Sequence, residues 1–169
     1  QLYLALESYR RVLQMVGDPP QPVACEAYSG LARISYEWNN LEAAQQYGKL
    51  GLELALPIES IDSVAAGELF LARVELAQGD IAAAAEHLAQ ADQTVHRHNF
   101  VFQIPKLTAL KVLLLLRQGD LAAATALAWL GGEPQIWAIG VVLVIAAAPR
   151  RGRAMVGVSI GVAMVAVQM

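Results

Sequence analysis

The chain contains one cysteine, Cys25, so no disulfide can form within it and no thiolate-rich metal site can be built. That fits a reducing compartment, and the expectation is a cytoplasmic protein. Charged residues make up only 16% of the 169 positions, and the net charge is −3. A nucleic-acid-binding face needs a basic excess, so no direct contact with DNA or RNA is expected. There is no G-x-x-x-x-G-K-S/T run and hence no phosphate cradle of that kind. No basic, apolar leader opens the chain, which begins at Gln1 and reads as cut from a longer protein.

Histidine is also scarce. His87 lies inside an apolar-periodic stretch, while His96 and His98 are two apart near its end. A helix would point that pair in different directions, and metal pairs on helices need spacings of three or four. A His near a helix C-terminus is explained by the helix dipole alone. Neither Ser35 nor Ser63 has a histidine nearby in sequence. Cys25 sits in an apolar stretch, where a buried structural thiol is the default, although the turn at Pro19-Pro20-Gln21-Pro22 starts a helix close by. No enzyme, metal or cofactor is expected from these residues.

What the chain has in excess is apolar residues, 56% of the total, mostly alanine and leucine, which favour helices. It also repeats. Asn40-Leu41-Glu42-Ala43-Ala44 returns as Asp80-Ile81-Ala82-Ala83-Ala84 and again as Asp120-Leu121-Ala122-Ala123-Ala124, in two steps of forty. Leu31-Ala32-Arg33-Ile34 returns forty residues later as Leu71-Ala72-Arg73-Val74, and the third copy is degraded. Each unit reads as two helices. Asn39-Asn40, Gly79-Asp80 and Gly119-Asp120 each close one helix with a residue that tolerates left-handed geometry and cap the next with a side-chain oxygen. So short a joint makes the helices antiparallel neighbours. The expected helices lie near 2–16, 22–38, 41–55, 60–78, 81–97, 104–118 and 121–130, with Pro57 and Pro105 near helix starts.

Small residues mark the helix crossings. Ala32, Ala44 and Gly51 are spaced twelve and seven apart, as are Ala72, Ala84 and Ala91. This spacing resembles that of tetratricopeptide hairpins, although those units run at ~34 residues and their closing proline is not in its usual place here. The forty-residue period, with Leu-Ala-Arg near Gly-Asp-Leu-x-x-Ala, resembles the superhelical region of MalT-like, LuxR-family ATP-dependent transcriptional regulators over roughly residues 1–129. The resemblance implies an all-α, right-handed superhelix, an α-solenoid of antiparallel hairpins. It also implies an N-terminal nucleotide-binding module and a C-terminal helix-turn-helix, with the repeats between them sensing an inducer or a partner protein. This sequence would then be the sensor segment alone. The alternative is a generic tetratricopeptide-like scaffold, membrane-associated if its C-terminal end is an anchor.

In such solenoids the first helices line the concave surface. Arg33 and Arg73 hold the same place in successive units, so stacking sets one above the other, as a ladder suited to carboxylates or phosphates. Tyr36, three residues after Arg33, could add an aromatic face, and Glu37 lies beside it. Arg33, Tyr36, Glu37 and Arg73 are therefore the candidate ligand- or partner-binding residues. The competing reading pairs each guanidinium with a nearby carboxylate, such as Glu37 or Glu75, at the surface.

The pattern breaks at Leu130. Residues 1–129 carry a net charge of −5, and residues 130–169 carry +2. Residues 136–148 and 154–167 are uncharged and flank Arg150-Arg151-Gly152-Arg153. Three readings stand open for 130–169. One is a membrane hairpin, though each run is well short of the ~20 residues needed to span. The second is a last, buried repeat. The third is the product of a shifted reading frame.

Overall fold

The computed structural model describes residues 2–130, and the readings of 130–169 as an apolar tail concern residues that lie, after Leu130, outside them. The described residues form helices and turns, with no strand among them. The α-helices are α1 (Leu2–Val16), α2 (Cys25–Glu37), α3 (Leu41–Ala55), α4 (Ile61–Gln78), α5 (Ile81–Arg97), α6 (Ile104–Gln118) and α7 (Leu121–Leu130). The fold is all-α and built of helical repeats.

The two-residue punctuation does what its chemistry predicts. Asn39, Gly79 and Gly119 take positive φ values of 58°, 85° and 82°. At each joint the following amide reaches back five residues: Asn40 N–H to Ser35 O at 2.9 Å, Asp80 N–H to Glu75 O at 2.9 Å, and Asp120 N–H to Leu115 O at 3.0 Å. That bond satisfies a carbonyl the ending helix leaves free. The same residue then opens the next helix. Asn40 Oδ1 accepts from Ala43 N–H at 3.2 Å, Asp80 Oδ1 from Ala83 N–H at 3.1 Å and Asp120 Oδ1 from Ala123 N–H at 2.9 Å.

One helix start differs from the sequence expectation by more than a residue. The stretch expected as one helix over 22–38 begins with a 3₁₀ turn, Pro22–Ala24, and becomes α-helical at Cys25. Pro22 has no N–H, and the tighter turn lets Ala24 N–H bond Gln21 O at 2.9 Å. A second 3₁₀ turn, Val101–Gln103, leads into α6. Pro105 is the second residue of α6, as expected, whereas Pro57 lies in the turn after α3, four residues ahead of α4.

The chain divides into two compact units at Leu110/Lys111. In the first, α2 packs on α3 and α4 on α5 as hairpins, α3 packs on α4, and α1 packs on α2. The small residues lie at these crossings: Ala32, Ala44, Ala72, Ala84 and Ala91 are all fully buried, and Gly51 is buried. Around them Leu31, Ile34, Leu69, Leu71, Val74, Leu76, Leu88 and Val95 complete the core. In the second unit, Val112 and Ala124 form a small core with Leu115, Leu116 and Leu127 against it. No helix among the described residues is long and apolar enough to cross a membrane.

Candidate functional site

The first helices α2 and α4, with the 3₁₀ turn before α6 and the first two turns of α6, enclose a groove of about 320 Å³ in the first unit. It is lined by Arg33 from α2, by Ala66, Leu69, Phe70 and Arg73 from α4, and by Gln103, Lys106, Ala109 and Leu110. The volume is near the lower end of the roughly 300–1,000 Å³ range of small-molecule sites. Helical periodicity explains who lines it. Ala66, Leu69, Phe70 and Arg73 recur at steps of three and four, and so do Lys106, Ala109 and Leu110.

Both arginines of the predicted ladder border this groove, but their surroundings differ. The Arg73 guanidinium lies 4.2 Å from the centre of the Tyr36 ring, and its Nη2 is 3.9 Å from Glu37 Oε1. Tyr36 in turn meets Phe70 edge-on, with ring centres 6.1 Å apart. Tyr36 and Glu37 therefore hold the next unit's arginine in place and do not line the groove themselves. The Arg73–Glu37 pair is half-exposed on both sides and is worth about 0–1 kcal/mol. Among the described residues Glu75 pairs with no arginine: it is buried and turned to His87.

Arg33 borders a second, narrower cleft of about 20 Å³, the size of one water, together with Glu26, Ser29 and Ser63. The Glu26 carboxylate there accepts from Ser63 Oγ at 2.8 Å. Among the described residues neither Arg33 nor Lys106 has an acid within ion-pair distance.

Lys106 and Gln103 are groove residues that the sequence did not single out. Forty residues before Lys106 stands Ala66, and forty before that Glu26, so no ladder of like residues points to it. Gln103 is buried at 3% exposure. Its Nε2 faces Asp62 Oδ1 at 3.5 Å, and its Oε1 is buried without a partner. The orientation follows from chemistry: an ionised carboxylate only accepts, so the amide nitrogen must face it.

A buried ionic cluster also escaped the sequence reading. His87 on α5 sits between two carboxylates of α4, with Nδ1 bonded to Glu68 and Nε2 3.2 Å from Glu75 Oε1. With both ring nitrogens facing acceptors, the imidazolium is favoured. The bond to Glu68 raises the His87 pKa above its ordinary 6.5, against the opposing effect of burial, and the Glu75 and Glu68 charges add to the rise. Burial raises the Glu75 carboxyl above its ordinary 4.5, partly countered by His87. One repeat earlier, forty residues back from Glu68, His87 and Glu75, stand Tyr28, Tyr47 and Ser35. There the two rings meet with centres 6.2 Å apart. His96 is bonded to the Asp92 carbonyl at 2.9 Å, one turn back on α5. The Cys25 thiol is 5% exposed, and burial raises its pKa, which makes the reactive thiolate scarcer.

No curated protein and no solved structure matches this chain. The family described as the MalT-like TPR region matches residues 1–138, most of the chain and all of the helices described above. Paired helices on a forty-residue period, closed and capped at Asn39-Asn40, Gly79-Asp80 and Gly119-Asp120, accord with that match, and the chain belongs to the MalT-like TPR region family.

Proposed function

We propose that this chain is the sensing and interaction segment of a MalT-like, LuxR-family transcriptional regulator working in the cytoplasm, and that it binds an inducer or partner in the groove between its first helices. The observation that carries this reading is the groove itself. It brings Arg33, Arg73 and Lys106 around an apolar floor, on the helices that repeat proteins use for recognition. Its volume favours a small molecule over a protein surface. Binding without catalysis is the accompanying proposal. The ionisable cluster Glu68–His87–Glu75 is packed between α4 and α5, with carboxylate side chains 8% and 2% exposed. A substrate has no route to such buried oxygens, so the cluster is better read as part of the helix–helix contact.

The test is a screen of small metabolites by thermal unfolding, run in parallel on the chain and on Ala66→Trp. Ala66 is half-buried in the groove wall, where an indole fills the space. A ligand at a hundred times its Kd stabilises the folded state by about 2.7 kcal/mol, which moves the Tm by roughly 5–11 °C at this chain length. Compounds that raise the Tm of the chain and not of A66W support sensing through the groove. A panel in which no compound separates the two proteins overturns it.

A further inference from the structure

We infer that the groove takes a small organic carboxylate with an apolar body, its charge held by Arg33 and Lys106 and its body laid over Phe70 and Leu110. This rests on the reading of the groove as the ligand site and adds the chemistry of the ligand.

Charge is the first argument. The chain as a whole carries −3, yet the groove lining holds three cations and no acid. The acids nearby are engaged elsewhere: Glu37 with Arg73, Glu26 with Ser63, and Asp62 with Gln103. Arg73 is held over Tyr36, whereas Arg33 and Lys106 have no ion pair among the described residues. Two unpaired like charges around one concavity repel, and an entering anion relieves that repulsion. A guanidinium presents parallel N–H donors that fit a carboxylate, and the ammonium adds a compact charge that adapts to its position.

The floor supplies the second argument. Ala66, Leu69, Phe70, Ala109 and Leu110 offer apolar surface, and Gln103 is the one uncharged polar residue in the lining. A polyhydroxylated ligand would lose water from many hydroxyls and find few partners, a cost of about 1–3 kcal/mol for each one left unpaired. An aliphatic or aromatic frame loses nothing of that kind and covers the Phe70 ring.

The experiment is isothermal titration of the full chain with 4-phenylbutyrate, with its uncharged primary amide and with inorganic phosphate. The expected result is a Kd for the acid at or below about 1 mM, with the amide and phosphate each at least about tenfold weaker. Arg33→Gln and Lys106→Gln each weaken the acid by about tenfold and leave the amide unchanged. Both side chains are exposed, so the circular dichroism and Tm of these variants stay at their original values. If acid and amide bind equally and both are lost in A66W, the carboxylate assignment is overturned while the groove remains the ligand site. Phosphate binding as tightly as the acid overturns the role of the apolar floor. Absence of binding by the acid, or binding that persists in A66W, overturns the inference outright, and the metabolite screen then decides separately on the groove.

Discussion

Glu59 is the least expected residue of the fold. It takes φ of 51° in the turn after α3, where the amide of Ser60 reaches back to Ala55 O at 3.3 Å. The same closure uses Asn39 and Asn99, at 58° and 54°, and Gly79 and Gly119. A residue with a Cβ is strained there by roughly 1–2 kcal/mol, while glycine is at ease. Replacing the exposed Glu59 by Gly is expected to stabilise the chain by about 0.5–1 kcal/mol, once the greater freedom of glycine in the unfolded chain is deducted. Chemical denaturation of E59G checks this, and an unchanged or lowered midpoint contradicts it. Glycine and asparagine announce the left-handed closures of the other turns, but Pro57-Ile58-Glu59-Ser60 carries neither, so the turn was legible while the left-handed conformation of Glu59 was not.

The charge on His87 belongs to the same scale. The groups facing it are Glu68 and Glu75 from α4 and Lys49 from α3, with Asp80 and Gln45 acting on Glu75. A histidine with a raised folded pKa contributes stability that is complete below the unfolded value of 6.5 and lost as pH climbs through the folded value. Glu75, raised above 4.5, acts in the same direction, because its buried carboxylate becomes costlier as it ionises. The Tm is therefore expected to fall as the pH rises above the ordinary histidine value of 6.5. In His87→Gln that slope should shrink. If H87Q keeps the slope of the parent chain, another group sets the pH dependence. Sequence spacing could not find this cluster. Glu68 and His87 are nineteen residues apart on different helices, and only the hairpin brings them together.

At the scale of the helix, the sequence was far more informative. Boundaries at Leu41, Ile81 and Leu121 follow from side-chain oxygens one residue upstream, and such caps act locally. The twelve-and-seven spacing located the close crossings for an equally simple reason: a large side chain cannot fit where helix axes approach. Gly51 shows the tightness. A Cβ there would lie 3.2 Å from both Cys25 O and Ser29 N, backbone atoms that cannot rotate away. Gly51→Val is expected to destabilise the chain by about 1–3 kcal/mol through overpacking, read as a lower denaturation midpoint with helix content retained in buffer. Tolerance of valine would mean that the α2–α3 crossing is looser than described. The 3₁₀ turns ahead of α2 and α6 were not foreseen, because periodicity registers apolar spacing and not the tightness of a helix's first turn.

For the whole molecule, the repeat period was enough to reveal the helical hairpins and the family. The groove was only half legible. Arg33 and Arg73 stood out because they repeat in register. Lys106 and Gln103 did not, since a concave surface brings together positions that share a place on successive units whatever residue occupies them. Tyr36 and Glu37 lay near the right helix face but serve to brace Arg73. The same logic applies inside the hairpins. At matching positions Tyr28 and Tyr47 join α2 to α3, with Ser35 buried on α2, while Glu68, His87 and Glu75 join α4 to α5. In a structure where each unit leans mainly on its neighbours, local strength need not be uniform. One clasp is held by two tilted aromatic rings, and the next by a histidine set between two carboxylates. A rise in pH that discharges His87 thus weakens the clasp between α4 and α5 and leaves the ring contact between α2 and α3 in place.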